Sequence, residues 1–347
     1  MQLLASGMRS IGVPATAACN WNDKSPFKYF CDVNLNVRNN IKNYLARTLF
    51  AMFAMIDYDI FHFFFGVSLI SFWRFHKIDL AFLRAQRKKI IVHFRGSDIR
   101  DKQFFQDAEQ YWTTSDHKTS PPQQWSRKDQ QKNLQTWRRW ADTILVSEPC
   151  LWDLVPEAVL SPQVVEMEAW KSAKRRWRDD SKEIVIVHAP TDRKKKGTRF
   201  VIAACEELRR KKLPIRLELI ENRPFSEMGQ AYEIADIGVD QMLYGWHGKF
   251  SLEMMAMGVP VVCYIREDLK SFREDLPIVN ATVSNLANVL ETLVLDKERR
   301  LRLAEAGPRY VAKYHSLPIV LEQLSVIYGL RNDGWVGREW LNPLVRN

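Results

Sequence analysis

Gly245-Trp246-His247-Gly248-Lys249-Phe250-Ser251-Leu252-Glu253-Met254-Met255-Ala256-Met257-Gly258-Val259-Pro260-Val261-Val262 is the stretch that decides the fold. A glycine-containing loop runs into a short helix, Ser251–Met257, which stops at Gly258 before Val259-Pro260. A glycine just past the last helical residue, with proline beyond it, is the expected helix end. Val261–Ile265 is then a continuous apolar run, as a strand covered on both faces requires. Loop, helix, stop and buried strand in this order are the second half of a βαβ unit.

The same grammar extends outward. Ile184–His188, Arg216–Ile220 and Ile237–Asp240 read as further strands. Phe200, Val201, Ala204 and Leu208 share one face of a helix that begins near Thr198, and Ala231, Ile234 and Ala235 mark the next helix. After Val283 the chain reads as helical almost to its end. In the first half, strands are expected at Pro14–Ala18, Asp59–Phe63, Ile90–Phe94 and Thr143–Ser147, with helices at Gln2–Ile11 and around Ile41–Met55. Leu49–Trp73 is the most hydrophobic stretch, but Asp57, Asp59, His62 and Gly66 break it, so it reads as a core helix followed by a buried strand rather than a membrane span. Asp101–Asn133 is polar, holds Pro121-Pro122 and lacks periodicity, which predicts a long surface excursion.

These elements predict an α/β protein with two doubly wound parallel sheets. The expected organisation is a first domain over 1–165, a Trp-rich basic connection over 166–182, a second domain over 183–330, and a tail over 331–347 that packs back toward the first domain. A chain of 347 residues suits two cores, and 46% hydrophobic with 27% charged residues is a globular balance. The 51 Lys+Arg against 41 Asp+Glu leave +10, which favours a polyanion, an anionic membrane or a phosphorylated ligand without choosing among them. Cys19, Cys31, Cys150, Cys205 and Cys263 are odd in number and widely spaced, so neither a disulfide framework nor a zinc site is expected. No signal peptide is read at the start, and the expected location is cytoplasmic, with peripheral contact at the inner face of a membrane as an option.

In a parallel sheet, ligands sit beyond the carboxyl ends of the strands, where loops enter helix N-termini. Ala189-Pro190-Thr191-Asp192-Arg193-Lys194-Lys195-Lys196-Gly197-Thr198 is such a loop, with four consecutive cations before a helix whose first amides lack partners. It reads either as a diphosphate cradle or as a solvated basic loop. The second loop is Gly245–Glu253, with Glu253 expected in the first helical turn, where two carboxylate oxygens can accept from vicinal ribose hydroxyls or simply complement the helix dipole. Arg266-Glu267-Asp268-Leu269 is the third.

Glu253-Met254-Met255-Ala256-Met257-Gly258-Val259-Pro260-Val261-Val262 resembles the donor signature of glycosyltransferase family 4, also called glycosyl transferases group 1, written Glu-Ala-x-Ala-x-Gly-x-Pro-Val. Lys196-Gly197 resembles the Lys-Gly that follows the first strand of that family's C-terminal domain. The resemblance extends more weakly from about Val13 to Leu330. It implies a GT-B fold, two Rossmann-like domains facing a central cleft, and a retaining glycosyltransferase that uses a nucleoside-diphosphate sugar without a metal or other cofactor. By the same resemblance Glu253 binds the donor ribose, Arg193 and Lys196 neutralise the diphosphate, and Gly248, Phe250 and Ser251 line the donor loop. Ile91-Val92-His93-Phe94-Arg95-Gly96-Ser97-Asp98 resembles the strand that ends in His-Gly-x-Asp and faces the donor sugar. Arg95 stands where the family has its histidine. His93 points to the same strand face and either substitutes for it or is a core histidine, and Asp98 is a candidate sugar-hydroxyl ligand.

Two departures stand out. The family carries a glutamate eight residues before the position of Glu253, where this chain has Gly245, and sugar contacts would fall to Trp246, His247 or backbone. The family's N-domain also begins with a central strand, whereas the first predicted element here is the helix that follows it. No Ser/His/Asp array, His-Glu-x-x-His spacing or Gly-x-x-x-x-Gly-Lys-Ser/Thr loop is present. The expected partners are a nucleotide-sugar donor and a glycan, lipid-linked or small-molecule acceptor. A non-catalytic GT-B protein that binds a nucleotide-sugar or a partner glycosyltransferase is the alternative, and a nucleic-acid partner for the basic segments is the lesser rival.

Overall fold

The computed structural model describes residues 1–19, 31–35, 41–70, 77–96, 98–100, 127–172 and 183–331. Among them, the chain forms two compact units, one from residues 1–100, 127–162 and 320–331, the other from 163–172 and 183–319. The last helix thus crosses from the second unit into the first.

The first unit runs α1 (Gln2–Ser10), β1 (Ala18–Cys19), β2 (Val33–Asn34), α2 (Ile41–Asp57), β3 (Ile60–Phe64), α3 (Ile78–Ala85), β4 (Lys89–Phe94), α4 (Arg127–Trp140), β5 (Thr143–Val146) and β6 (Val159–Leu160). β3, β4, β5 and β6 form a parallel sheet in that order, with Phe61 beside Ile90, Val92 beside Ile144 and Val146 beside Leu160. Parallel strands need crossover helices, which explains the fully buried runs Ile90–Val92 and Leu145–Val146. β1 and β2 pair in parallel as a separate two-stranded sheet. Among the described residues the sheet of this unit is therefore in two pieces, and between them Thr16 and Tyr58 hydrogen-bond through their side chains.

Four expectations for this unit need correction. Pro14–Ala18 is not a strand: Arg9 Nη1 donates to the Ala15 carbonyl at 2.6 Å, so that oxygen is engaged by a side chain, and pairing begins only at Ala18. Cys19 and Cys31 are joined by a disulfide with their Cα atoms 6.1 Å apart, because the pairing of β1 with β2 brings them together; Cys150, Cys205 and Cys263 are buried outside any bridge. α2 is not a core helix, since its buried face carries Arg47, Ala51, Ala54 and Met55 while most of its large apolar residues face outward. Of the polar stretch Asp101–Asn133, residues 101–126 lie outside the described residues, but 127–133 open α4, whose Gln130, Asn133 and Trp137 share a buried face at helical spacing. Trp73, most of the interdomain connection and nearly all of the tail also lie outside the described residues.

The second unit runs α5 (Met167–Ser172), β7 (Ile184–His188), α6 (Arg193–Lys196), α7 (Thr198–Arg210), β8 (Ile215–Leu219), α8 (Phe225–Tyr232), β9 (Ile237–Val239), α9 (Lys249–Ala256), β10 (Val261–Cys263), β11 (Ile278–Asn280), α10 (Leu286–Leu295), α11 (Lys297–His315) and α12 (Leu317–Tyr328), the last shared with the first unit. Its five strands are parallel in the order β11-β10-β9-β7-β8. Ile186, Val201, Leu208, Ile237, Val239, Val262 and Leu290 meet in its core. This is the doubly wound arrangement the sequence predicts, with the strand order reversing between β7 and β9; in the first unit the described strands β3 to β6 run in sequential order. Among the described residues, no helix is long and apolar enough to cross a membrane.

Candidate functional site

β7 and β9 are neighbours, and the loops leaving their carboxyl ends lie side by side. After β7, the Asp192 carboxylate accepts from the amides of Lys194 at 3.0 Å and Lys195 at 3.1 Å, which caps α6, a single turn. Gly197 has φ +75, a conformation that suits glycine, and lets the chain turn at once into α7; a Cβ there would lie 3.1 Å from that of Met242. Beneath the turn, buried His188 makes a 2.7 Å contact from Nδ1 to the Val239 carbonyl and a 2.9 Å contact from Nε2 to the Thr198 hydroxyl. A carbonyl can only accept, so Nδ1 carries the proton and Nε2 accepts. Burial holds this imidazole down at about 4, against the raising influence of Val239 and Asp240.

The loop after β9 supplies a group that the sequence did not single out. Buried Asp240 accepts from Lys196 Nζ at 3.0 Å through Oδ1, and from the Gly248 amide at 2.7 Å and the Ser251 hydroxyl at 2.6 Å through Oδ2. Lys196 Nζ also donates to Gln241 Oε1 at 2.6 Å, and Gln241 in turn donates to the Trp246 carbonyl. Burial alone would raise the Asp240 carboxyl; Lys196, Ser251 and Gly248 outweigh it and hold it below its usual range. The Lys196 ammonium is lifted above its ordinary value because Asp240 and Tyr244 overcome its own burial.

These bonds also fix where α9 starts. The helix begins at Lys249, not Ser251, because Asp240 takes up the Gly248 amide and the Ser251 hydroxyl, so Glu253 lies in the second turn rather than the first. Its carboxylate is buried, with Lys249 Nζ 3.9 Å from Oε1. Burial raises it to about 7, Lys249 pulls it down, and Asp240 pushes it up.

Lys196, Gly248 and Ser251 are therefore brought together around one point, with Glu253 on the following turn. Phe250 is turned away: its ring meets Tyr232 edge-on at 5.3 Å, and Tyr232 stacks on Trp170. Arg193 is held outward by Glu221, Nε to Oε1 2.8 Å. Gly245, at φ +81, packs against the stem of Arg266, and a Cβ there would come within 2.6 Å of Arg266 Cγ. In the first unit, His93 is buried on β4 with its ring 5.5 Å from that of His62 and 5.3 Å from that of Phe64, and burial pushes it well below the usual imidazole value. Asp98 is buried too, and its carboxylate accepts from the amides of Arg95 at 3.1 Å and Gly96 at 2.7 Å, closing the turn after β4. Asp240, Gln241 and His188 are the residues sequence reasoning passed over. The available signal was an aspartate and a glutamine in succession where a buried strand ends.

No family model matches the chain, and no curated protein matches it in sequence. Solved structures do. A glycosyltransferase from Rickettsia africae aligns over 96% of this chain and 94% of its own with a TM-score of 0.59 at 14% identity. Sucrose-phosphate synthase from Thermosynechococcus elongatus aligns over 95% and 92%, TM-score 0.59 at 12% identity. Anabaena HepE in complex with UDP-glucose aligns over 82% of each chain, TM-score 0.54 at 12% identity. At such identities the likeness is one of fold, and the fold is that of the GT-B glycosyltransferases.

Proposed function

We propose that the protein is a glycosyltransferase of the family 4 type that moves a sugar, with retention, from a nucleoside-diphosphate sugar to a glycan, lipid-linked or small-molecule acceptor. The observation that carries this reading is the convergence of the Lys196 ammonium, the Gly248 amide and the Ser251 hydroxyl on one anionic group at the carboxyl end of a parallel sheet. In the structure that group is the Asp240 carboxylate. A diphosphate offers the same donors more negative charge and more acceptor oxygens. As the bond from the sugar to the phosphate breaks, its electron pair goes to a phosphate oxygen, the acceptor hydroxyl oxygen bonds the anomeric carbon and its proton passes to the departing diphosphate, and Lys196, with Arg193 swung from Glu221, stabilises the charge that develops there. No metal is needed in this scheme. Glu253, when ionised, accepts from the ribose hydroxyls. That a GT-B neighbour was solved with UDP-glucose makes uridine the first nucleotide to test.

A second reading is favoured by two observations. Asp240 cancels the charge of Lys196, and Gly245, with the stem of Arg266 against it, stands where the resembled family has a carboxylate. A non-catalytic GT-B protein that binds a nucleotide-sugar or a partner glycosyltransferase would keep such a site. Calorimetric titration with the diphosphates of uridine, guanosine and adenosine, on the protein and on Glu253→Ala and Lys196→Ala, separates the outcomes. Selective binding lost in both variants, with sugar released from the matching nucleotide-sugar, supports the transferase. Binding without release or transfer selects the second reading, and no binding by the folded protein overturns both.

A further inference from the structure

α2 turns its large apolar residues away from the unit that carries it. Leu45, Leu49, Met52, Phe53 and Ile56 are between 52% and 73% exposed, whereas Arg47, Ala51, Ala54 and Met55 on the opposite side are buried. Leu45, Leu49, Met52 and Ile56 follow one another at steps of four, three and four, the alternation of d and a positions in a heptad, and Phe53 borders the stripe at e. Scattered apolar residues on a surface need no explanation, but a continuous stripe of five exposes on the order of 600 Å², the top of what soluble monomers leave bare. That is most of the roughly 800 Å² each partner contributes to a standard interface.

Charge decides what fits there. Between Leu45 and Ile56 the only charged residue is Arg47, which is buried with its guanidinium on the carbonyls of Leu69 at 2.6 Å and Ser68 at 3.3 Å. Beyond the stripe the next charges are the acid Asp57 and, one turn before Leu45, Lys42, which the same register puts at an a position. One lysine at the end of the stripe is not the Lys/Arg-rich face that holds an amphipathic helix on an anionic membrane. Its e and g positions, Ala46, Thr48, Phe53 and Met55, hold no charge to select a different charged helix. A run of four apolar a/d residues with no charge at its e and g flanks is complementary to another such run, and a second copy of the chain supplies one. We propose that α2 is the surface through which two copies of this protein associate, α2 packing against α2 about a two-fold axis.

The test is sedimentation velocity on the full chain over a wide concentration range, beside Leu49→Glu/Ile56→Glu. Both positions are solvent-exposed, so the variant keeps the fold, which circular dichroism and thermal unfolding verify. The expected result is a concentration-dependent dimer whose dissociation constant rises about a hundredfold or more in the variant, because each carboxylate would have to be desolvated in the seam. A wild-type protein that stays monomeric throughout, or a dimer unmoved by the substitutions, overturns the proposal. So does a monomer that binds phosphatidylcholine/phosphatidylserine vesicles through the same two residues, since the occupant would then be lipid. None of these outcomes depends on the donor site.

Discussion

Lys196 and Asp240 form an ion pair, Nζ to Oδ1 3.0 Å, and the partner carboxylate of that pair also holds the Gly248 amide and the Ser251 hydroxyl. Three donors that converge in the second unit are thus taken up by one of the protein's own side chains. On the proposed reading, a diphosphate must displace that carboxylate, and must do so beside a like charge.

Asp240→Asn follows directly. The amide keeps an acceptor for Gly248 and Ser251 but removes the negative charge, which leaves the ammonium of Lys196 available. Binding of the cognate nucleoside diphosphate should tighten about tenfold, on the order of 1.4 kcal/mol. Titration calorimetry reads this out. Weaker binding would mean that Asp240 orients Lys196 for the ligand rather than competing with it.

Glu253 gives a pH signature. With its carboxyl raised to about 7 by burial, it is largely protonated below neutrality, and a protonated acid cannot offer both oxygens to ribose hydroxyls. Nucleotide affinity should rise as pH passes upward through about 7, and Glu253→Gln should flatten that rise while weakening binding. For folding stability the sign is reversed. The folded state holds the proton more tightly than the unfolded chain, so this group makes stability fall as pH climbs from 4.5 to about 7. The total is at most about 3 kcal/mol, and chemical unfolding of Glu253→Gln across that window should lack it.

Gly245 and Arg266 form a steric pair. Placing a glutamate at 245 imposes a side chain on a residue at φ +81 and drives its Cβ into the Arg266 stem. Gly245→Glu alone should lose about 1–3 kcal/mol of stability. Adding Arg266→Ala removes the clash but not the backbone strain, and should recover part of the loss. Urea unfolding of the two single variants and the double variant checks the coupling, and strict additivity would show that Arg266 is not the obstacle.

Much of the second unit was legible because its signals are local. Val261–Cys263 and Ile184–His188 are apolar runs that only a covered parallel strand explains, and Gly258-Val259-Pro260 ends a helix wherever it occurs. The ion pair of Lys196 with Asp240 was not legible, because 44 positions separate the residues and only the adjacency of β7 and β9 makes them partners. Glu253 was expected in the first helical turn and lies in the second, since the start of α9 depends on Asp240, a tertiary contact. α2 misled for another reason. Its apolar pattern was real, but a pattern says which residues share a face and not whether that face looks inward, and Arg47 with its alanines turned the small side to the protein. Cys19 and Cys31 were likewise read as unrelated until β1 and β2 paired.

Three buried histidines and half-buried His62 yield the last prediction. His62, His188 and His315 are held neutral by burial, at about 3, 4 and 3, and His93 is driven down in the same direction. Each has a folded-state value below that of the unfolded chain, so acid favours unfolding. The unfolded protein begins to take up protons near pH 6.5 while the folded protein does not, and stability should fall from there down to about pH 4. Each histidine contributes a slope of up to about 1.4 kcal/mol per pH unit. Glu253 opposes them over part of this range, so the net fall should be steeper below 4.5 than above it. Of the four, His188 offers the cleanest check because both its ring nitrogens are bonded, to Val239 and Thr198. His188→Gln should reduce the acid slope by about one proton while costing about 1–3 kcal/mol at neutral pH, and an unchanged slope would show that this imidazole does not stay neutral in the fold.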